Sequence, residues 1–158
     1  MQKIILNAEE KKSEIIALLE KSRHLVLATC AGHRVTARAM SYASKDLEII
    51  FGTDKNFLKV EQIQKNPHVA LCLDNLQIEG MAEILGHPSG PQNTELSKLY
   101  KAKQPKSFEM YWKGKTQVVI KVTPTLCTQW KYLDGKPCRE FYDVKQGEAY
   151  REDYELSR

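Results

Sequence analysis

Thr53 and Lys59 stand six residues apart in LEIIFGTDKNFLKVEQIQKNP (Leu47–Pro67), a spacing at which a hydroxyl and an ammonium can hold one anion. The stretch reads as a strand, a tight turn at Gly52 and a helix. Leu47, Ile49 and Phe51 alternate with Glu48, Ile50 and Gly52 as a pleated strand requires. Thr53 and Asp54 are suited to cap the following helix, Phe57, Val60 and Ile63 recur at helical spacing, and Asn66-Pro67 stops it. Free backbone N–H groups at a helix start attract anions, phosphate above all. Lys59, just past the first turn, can lean back toward that end because helical side chains tilt toward their N-terminus. The same pattern also fits an ordinary strand–helix junction with a solvated lysine.

A second cation comes from the strand before. Arg34–Tyr42 (RVTARAMSY) alternates, with Val35, Ala37, Ala39 and Ser41 on one face and Arg34, Thr36, Arg38, Met40 and Tyr42 on the other. The small face suits the interior of a tight barrel. The other face fits plain solvent surface or the border of a flat ligand with an anionic tail. A hairpin turn at Ser44-Lys45-Asp46 would set this strand beside Leu47–Gly52 and let Arg38 and Lys59 converge on one anion.

The remaining elements must position these groups. Asn7, with Glu10 three residues on, opens a helix that ends near Ser22. His24–Cys30 is a nearly continuous apolar run and reads as a strand buried on both faces or in a barrel wall, and Val69–Asp74 reads as another buried strand. Asn75 turns the chain into Gln77–Leu85, where Ile78, Gly80, Ala82 and Ile84 oppose Gln77, Glu79, Met81 and Glu83. Asn93–Ala102 is helical, with Leu96, Leu99 and Tyr100 inward, and Ser107–Trp112 is a short helix or turn. Thr116–Val122 is a strand stopped by Pro124. Leu126–Leu133 is another, with Leu126, Thr128, Trp130 and Tyr132 on one face. Arg139–Val144 is a further short strand, and the charged tail from about Lys145 reads as exposed or docked on a partner. Six or seven short strands joined by tight turns, with three helices, favour a mainly β, α+β antiparallel barrel over a parallel sheet.

The 158 residues suggest one domain, spanning 1–158, with 42% hydrophobic and 28% charged residues typical of a soluble protein. No apolar run approaches a membrane span, and MQKIILNAEEKKSE becomes charged too early for a secretory signal, so a cytoplasmic protein is expected. The net charge of +4 is spread along the chain, which argues against nucleic acid as a partner and suits a phosphate-bearing ligand. Cys30, Cys72, Cys127 and Cys138 lack metal-site spacing and read as reduced structural thiols. His24, His33, His68 and His87 stand alone, and Glu79 with Glu83 fits a solvated strand face. There is no G-x-G-x-x-G, no phosphate-binding lysine loop and no G-x-S-x-G. Side-chain acid–base chemistry is not visible, so any chemistry belongs to a cofactor.

The ordered series Arg38-Ala-Met40-Ser41, Phe51-Gly-Thr53, Lys59, Asn66-Pro67-His-Val69-Ala70-Leu71 and Gln77-Ile-Glu79-Gly80-Met-Ala82-Glu83 resembles the pyridoxamine 5′-phosphate oxidase-like flavoproteins. Their small general-stress-protein branch is the nearest in pattern, over about residues 8–133. The resemblance implies a split β-barrel that binds FMN at a homodimer interface. It implies phosphate-binding roles for Arg38, Lys59 and Thr53, and places Ala39, Met40 and Ser41 along the isoalloxazine edge, with Asn56 near the ligand. Asn75 or Gln77 would come from the second subunit, and Trp130 would lie near the flavin. It also implies an oxidoreductase in which the flavin takes hydride from a reduced nicotinamide, NAD(P)H, or another donor. Relatives that use the deazaflavin coenzyme F420 leave that cofactor as an alternative, and a non-catalytic flavin-binding or dimerisation module is another. The chain departs from the oxidase proper. Leu58 stands where that enzyme has a basic residue, and its C-terminal Arg-x-His segment is not found, so vitamin B6 oxidation is not implied.

Overall fold

The computed structural model describes residues 1–157. Its strands are β1 (Lys3–Leu6), β2 (His24–Ala31), β3 (Arg34–Ser41), β4 (Ala43–Lys45), β5 (Glu48–Asp54), β6 (His68–Leu73), β7 (Leu76–Ile84), β8 (Gln117–Leu133), β9 (Lys136–Asp143) and β10 (Glu148–Asp153). The three longer helices are α1 (Ala8–Lys21), α2 (Leu58–Lys65) and α3 (Thr94–Lys103). A helical turn at Pro105–Ser107 and a π-helical turn at Phe108–Trp112 follow α3. All ladders are antiparallel, in the order β1-β10-β9-β8-β7-β6-β2-β3, with β5 on β8 and β4 on β5. Among the described residues no ladder joins β3 to β4 or β5, so the barrel stays open there, as a split barrel does. Among the described residues no helix is long and apolar enough to cross a membrane.

Ten strands replace the expected six or seven. The additions are β1, β4 and β10: β1 and β4 are too short to show alternation, and β10 is too polar for a sequence read for hydrophobic alternation. The charged tail is no free appendage: β10 lies between β9 and β1. Pro124 does not end a strand either. β8 runs through it because the register against β7 slips between Glu79 and Gly80, leaving Thr125 as the bulged residue. A Cβ on Gly80 would lie 2.8 Å from the Thr123 carbonyl oxygen, so only glycine fits opposite this proline.

The expected hairpin exists in another form. Its arms are β4 and β5, turning at Asp46 with φ +52°, whereas β3 pairs with β2. The faces of β3 are also reversed. Thr36, Arg38 and Met40 point toward the protein, and Val35, Ala37 and Ala39 are exposed on the outside. β3 ends the sheet, so the long Arg38 and Met40 side chains can curl over the open barrel rim. β2 and β6 are likewise one-sided. Leu25, Leu27, Thr29, Val69, Leu71 and Leu73 point inward, while Val26 and Cys72 are exposed. The inward residues join Ile49, Phe51, Ile78 and Ile120, sealed at one end by Ile15 and Leu19 of α1. β5 and the adjoining start of β8 are covered on both faces, because α3 and the π-helical turn pack on the far side through Tyr100, Phe108 and Trp112 against Ile50 and Val119. All four cysteines are free thiols.

Candidate functional site

β5, α2 and the segment from α3 to the π-helical turn enclose a cavity of about 320 Å³. β5 runs past Gly52, where its sequence suggested a turn, through Thr53, which pairs with Val118, and Asp54, which pairs with Gln117. Thr53 and Asp54 are therefore strand residues, not helix caps. Asp54 accepts from the Asn56 backbone N–H and the Thr116 hydroxyl, which shape the turn into α2 and hold its carboxyl below the usual range. Phe57 occupies the N-cap position and offers no side-chain acceptor, so the start of α2 is uncapped. Gly52 is not a turn but a floor. The Trp112 ring lies against it, and a Cβ there would come within 2.8 Å of that ring.

Lys59 lies in the first turn of α2 and does lean back: its Nζ donates to Thr53 Oγ1 at 3.1 Å and sits 4.8 Å from the Phe57 ring centroid. Burial, and then the charge of Arg38, hold the Lys59 ammonium below the ordinary lysine value, with Asp54 opposing. The cavity wall is aromatic. Trp112 stacks on Tyr100 at 4.1 Å between centroids, and its Nε1 donates to Ser97 Oγ at 2.9 Å. Met40 and Tyr111 complete the mouth.

Arg38 is close enough to Lys59 for the two charges to oppose each other, but it does not line the cavity itself. Its guanidinium turns toward β2, donating to Thr29 Oγ1 at 2.7 Å and to the Thr36 hydroxyl. Among the described residues neither Arg38 nor Lys59 forms an ion pair with a carboxylate. Met40 is at the cavity, Ser41 is half-buried, Ala39 is exposed on the outer side of β3, and Asn56 is exposed on the turn before α2.

The other candidates gather elsewhere. Asn75, Gln77 and Trp130 border a separate outer recess of about 410 Å³ shared with Thr128, Arg139 and Phe141. Asn75 and Gln77 do not share one strand face. Asn75 sits in the β6–β7 turn and its Nδ2 donates to the Trp130 carbonyl at 2.6 Å, while Gln77 is free and exposed on β7. Trp130 meets Tyr132 edge-on and Tyr154 at a tilt. Within one chain the structure thus brings Thr53, Lys59, Met40 and the nearby Arg38 together, and keeps Asn75, Gln77 and Trp130 apart from them. The sequence reading missed the Tyr100, Tyr111 and Trp112 wall. Its signal was the aromatic-rich run Phe108–Trp112, which carried no periodicity because it forms a π-helical turn.

Residues 12–131 match the protein family Pyridoxamine 5′-phosphate oxidase. Among solved structures the chain is similar to General Stress Protein 26 from Bacillus anthracis str. Sterne, at 21% identity and a TM-score of 0.66, covering 85% of this chain and 99% of that one. It is similar to a FAD-binding protein from Mesorhizobium loti at 14% identity and a TM-score of 0.60, covering 96% and 99%. It is also similar to an F420 reductase at 28% identity and a TM-score of 0.54, covering 70% of this chain and 93% of that one. No curated protein gives a significant match.

Proposed function

Because the chain belongs to the pyridoxamine 5′-phosphate oxidase family, we propose that it is a flavoprotein that binds FMN and acts as a flavin-dependent oxidoreductase, though not as the vitamin B6 oxidase. The observation that carries this is Lys59, drawn against Thr53 beside the uncapped start of α2, with Arg38 nearby and no carboxylate paired to either cation. Two unpaired cations, a hydroxyl and free helix N–H groups fit a phosphate dianion. Met40 and the aromatic wall fit a flat, largely apolar ring. Arg38, Lys59 and Thr53 would hold the phosphate, and Met40 with the neighbouring β3 backbone would lie along the ring. A bound flavin supplies the redox chemistry, taking electrons from a donor such as NAD(P)H and passing them on. The chain's own residues bind and orient it.

The working unit we propose is a homodimer with the site shared between protomers. Its support is the outer sheet face, where Val26, Val35, Met81, Trp130 and Tyr132 are exposed, together with Gln77 beside Trp130 in the outer recess. The second reading is a deazaflavin: the F420 reductase is the most identical of the three similar structures described above.

The absorbance spectrum of protein purified and dialysed with FMN tests the reading. A shifted, protein-bound flavin spectrum that bleaches anaerobically on adding NADPH or NADH supports an enzyme. A bound flavin that neither reductant bleaches supports a carrier. Thermal stabilisation by F420 with none by FMN selects the deazaflavin, and stabilisation by neither overturns the flavoprotein assignment.

A further inference from the structure

Gln62 of α2 is 2% exposed and does not line the cavity described above, yet its amide orders three neighbours. Its Nε2 donates to the Arg34 carbonyl at 3.0 Å, an oxygen that can only accept, so Oε1 must face the other way. There Oε1 accepts from two hydroxyls, Thr29 Oγ1 at 2.6 Å and Thr36 Oγ1 at 2.7 Å. Each threonine has a single hydroxyl hydrogen, and Gln62 takes both. The lone pairs left on those oxygens point back to Arg38, which donates to both of them. A guanidinium has donors only, so with both hydroxyl hydrogens on Gln62 every group is satisfied; the two threonine oxygens also lie 3.4 Å apart, and Arg38 Nη1 donates to the Leu27 carbonyl at 3.4 Å.

We propose that Gln62, acting through Thr29 and Thr36, is a positioning residue that sets the direction of the Arg38 guanidinium and thereby the selectivity for a phosphorylated ligand over its unphosphorylated form. The proposal rests on the reading of Arg38 as a phosphate-binding cation. The network spans α2, β2 and β3, so it ties the open edge strand to the helix that carries Lys59. Without it, Arg38 stands on an edge strand and its long side chain has many rotamers to lose on binding.

Three measurements test it. In nuclear magnetic resonance of the ligand-free protein, the Arg38 Hη protons should give separate, slowly exchanging signals that collapse in Gln62→Met. In flavin titrations, Gln62→Met should weaken FMN binding by about tenfold or more, the scale of a hydrogen bond to a charged group, and leave riboflavin binding unchanged. In an Arg38→Ala background the same change should cost nothing further. If Gln62→Met does not fold, Thr36→Val takes its place, with Thr36→Ser expected to restore FMN affinity because serine keeps the hydroxyl. Unchanged Hη signals, or equal losses for FMN and riboflavin, overturn the proposal and leave Gln62 a structural residue. If Arg38→Ala itself leaves FMN affinity unchanged, the phosphate reading of Arg38 falls, and the Hη signals alone still decide whether Gln62 orients the guanidinium.

Discussion

At the scale of single residues, the strongest expectation concerns charge. Arg38→Ala or Lys59→Ala should weaken FMN binding by ~1.5–3 kcal/mol each, with riboflavin affinity unaffected, as fluorescence titration can check. The pH dependence follows from Lys59. In the empty site burial and Arg38 depress its pKa below 10.5, and a bound phosphate dianion draws the proton back. Binding therefore takes up a proton, so FMN affinity should fall as pH rises through the depressed value toward 10.5. The free protein should show the opposite trend. Between those limits the unfolded chain holds more protons at Lys59 than the folded one, so stability from this group rises with pH. Lys59→Met should flatten the affinity profile, and a profile unchanged in that variant would count against Lys59. The Thr53–Lys59 pair was legible because six residues across a strand–helix junction is local geometry. The turn of Arg38 toward Thr29 was not, because it depends on which neighbour strand β3 acquires.

At the scale of elements, α1 is fastened to the sheet by a buried polar cluster. Lys11 Nζ, 4% exposed as a residue, donates to Glu140 Oε2 at 2.7 Å and Gln129 Oε1 at 2.6 Å, and Lys131 reaches Glu140 Oε2 at 2.9 Å. Burial would raise the Glu140 carboxyl, but the hydrogen bonds from Lys11 and Lys131 outweigh it and hold the group low. Glu140→Ala leaves the buried Lys11 ammonium with Glu14 at 3.2 Å as its carboxylate partner and should cost up to about 3–5 kcal/mol in denaturant unfolding. The sign in acid follows. The stabilisation is present above the ordinary glutamate range near 4.5 and is lost as pH falls through the depressed value. A Glu140→Ala protein as stable as wild type at neutral pH would refute this clamp. The α1 cap was readable from sequence, since Asn7 Oδ1 accepts from the Glu10 N–H at 3.0 Å. The clamp was not, because Lys11, Gln129 and Glu140 come together only once β8 and β9 pair. Strand faces divide the same way. β7 alternated as expected, while β2 and β6 read as continuous apolar runs whose outer face was not evident, because an exposed valine or cysteine there reads like core.

At the scale of the whole molecule, the exposed outer face asks for a partner, and a second copy joined by a shared flavin predicts linkage. FMN-loaded protein should sediment as a dimer at low micromolar concentration, and dilution should release flavin and lower the melting temperature together. A monomer near 18.1 kDa that retains its flavin would rule out the shared site. An antiparallel barrel was visible in the sequence as short strands with tight turns, and its split form was implied by the family resemblance. Its open rim was not legible in the residues themselves, because hydrophobic pattern reports which faces are buried and not which edges meet.

The long strand β8 has a consequence for how the chain acquires this shape. β7 occupies one of its edges, and β5 shares the other with β9, which follows β8 in a hairpin, so two earlier and separated segments wait for the same partner. Until β8 is available, the inner faces of β5 and β7 have no sheet to complete, and the barrel wall can close only through contacts distant in sequence. Folding should therefore pass through a late step in which β8 inserts, with the β2–β3 and β6–β7 hairpins formed earlier as local units. Amide hydrogens in the middle of β8 should be the last to exchange, since losing that strand splits the sheet into three pieces, β7-β6-β2-β3, β9-β10-β1 and β4-β5.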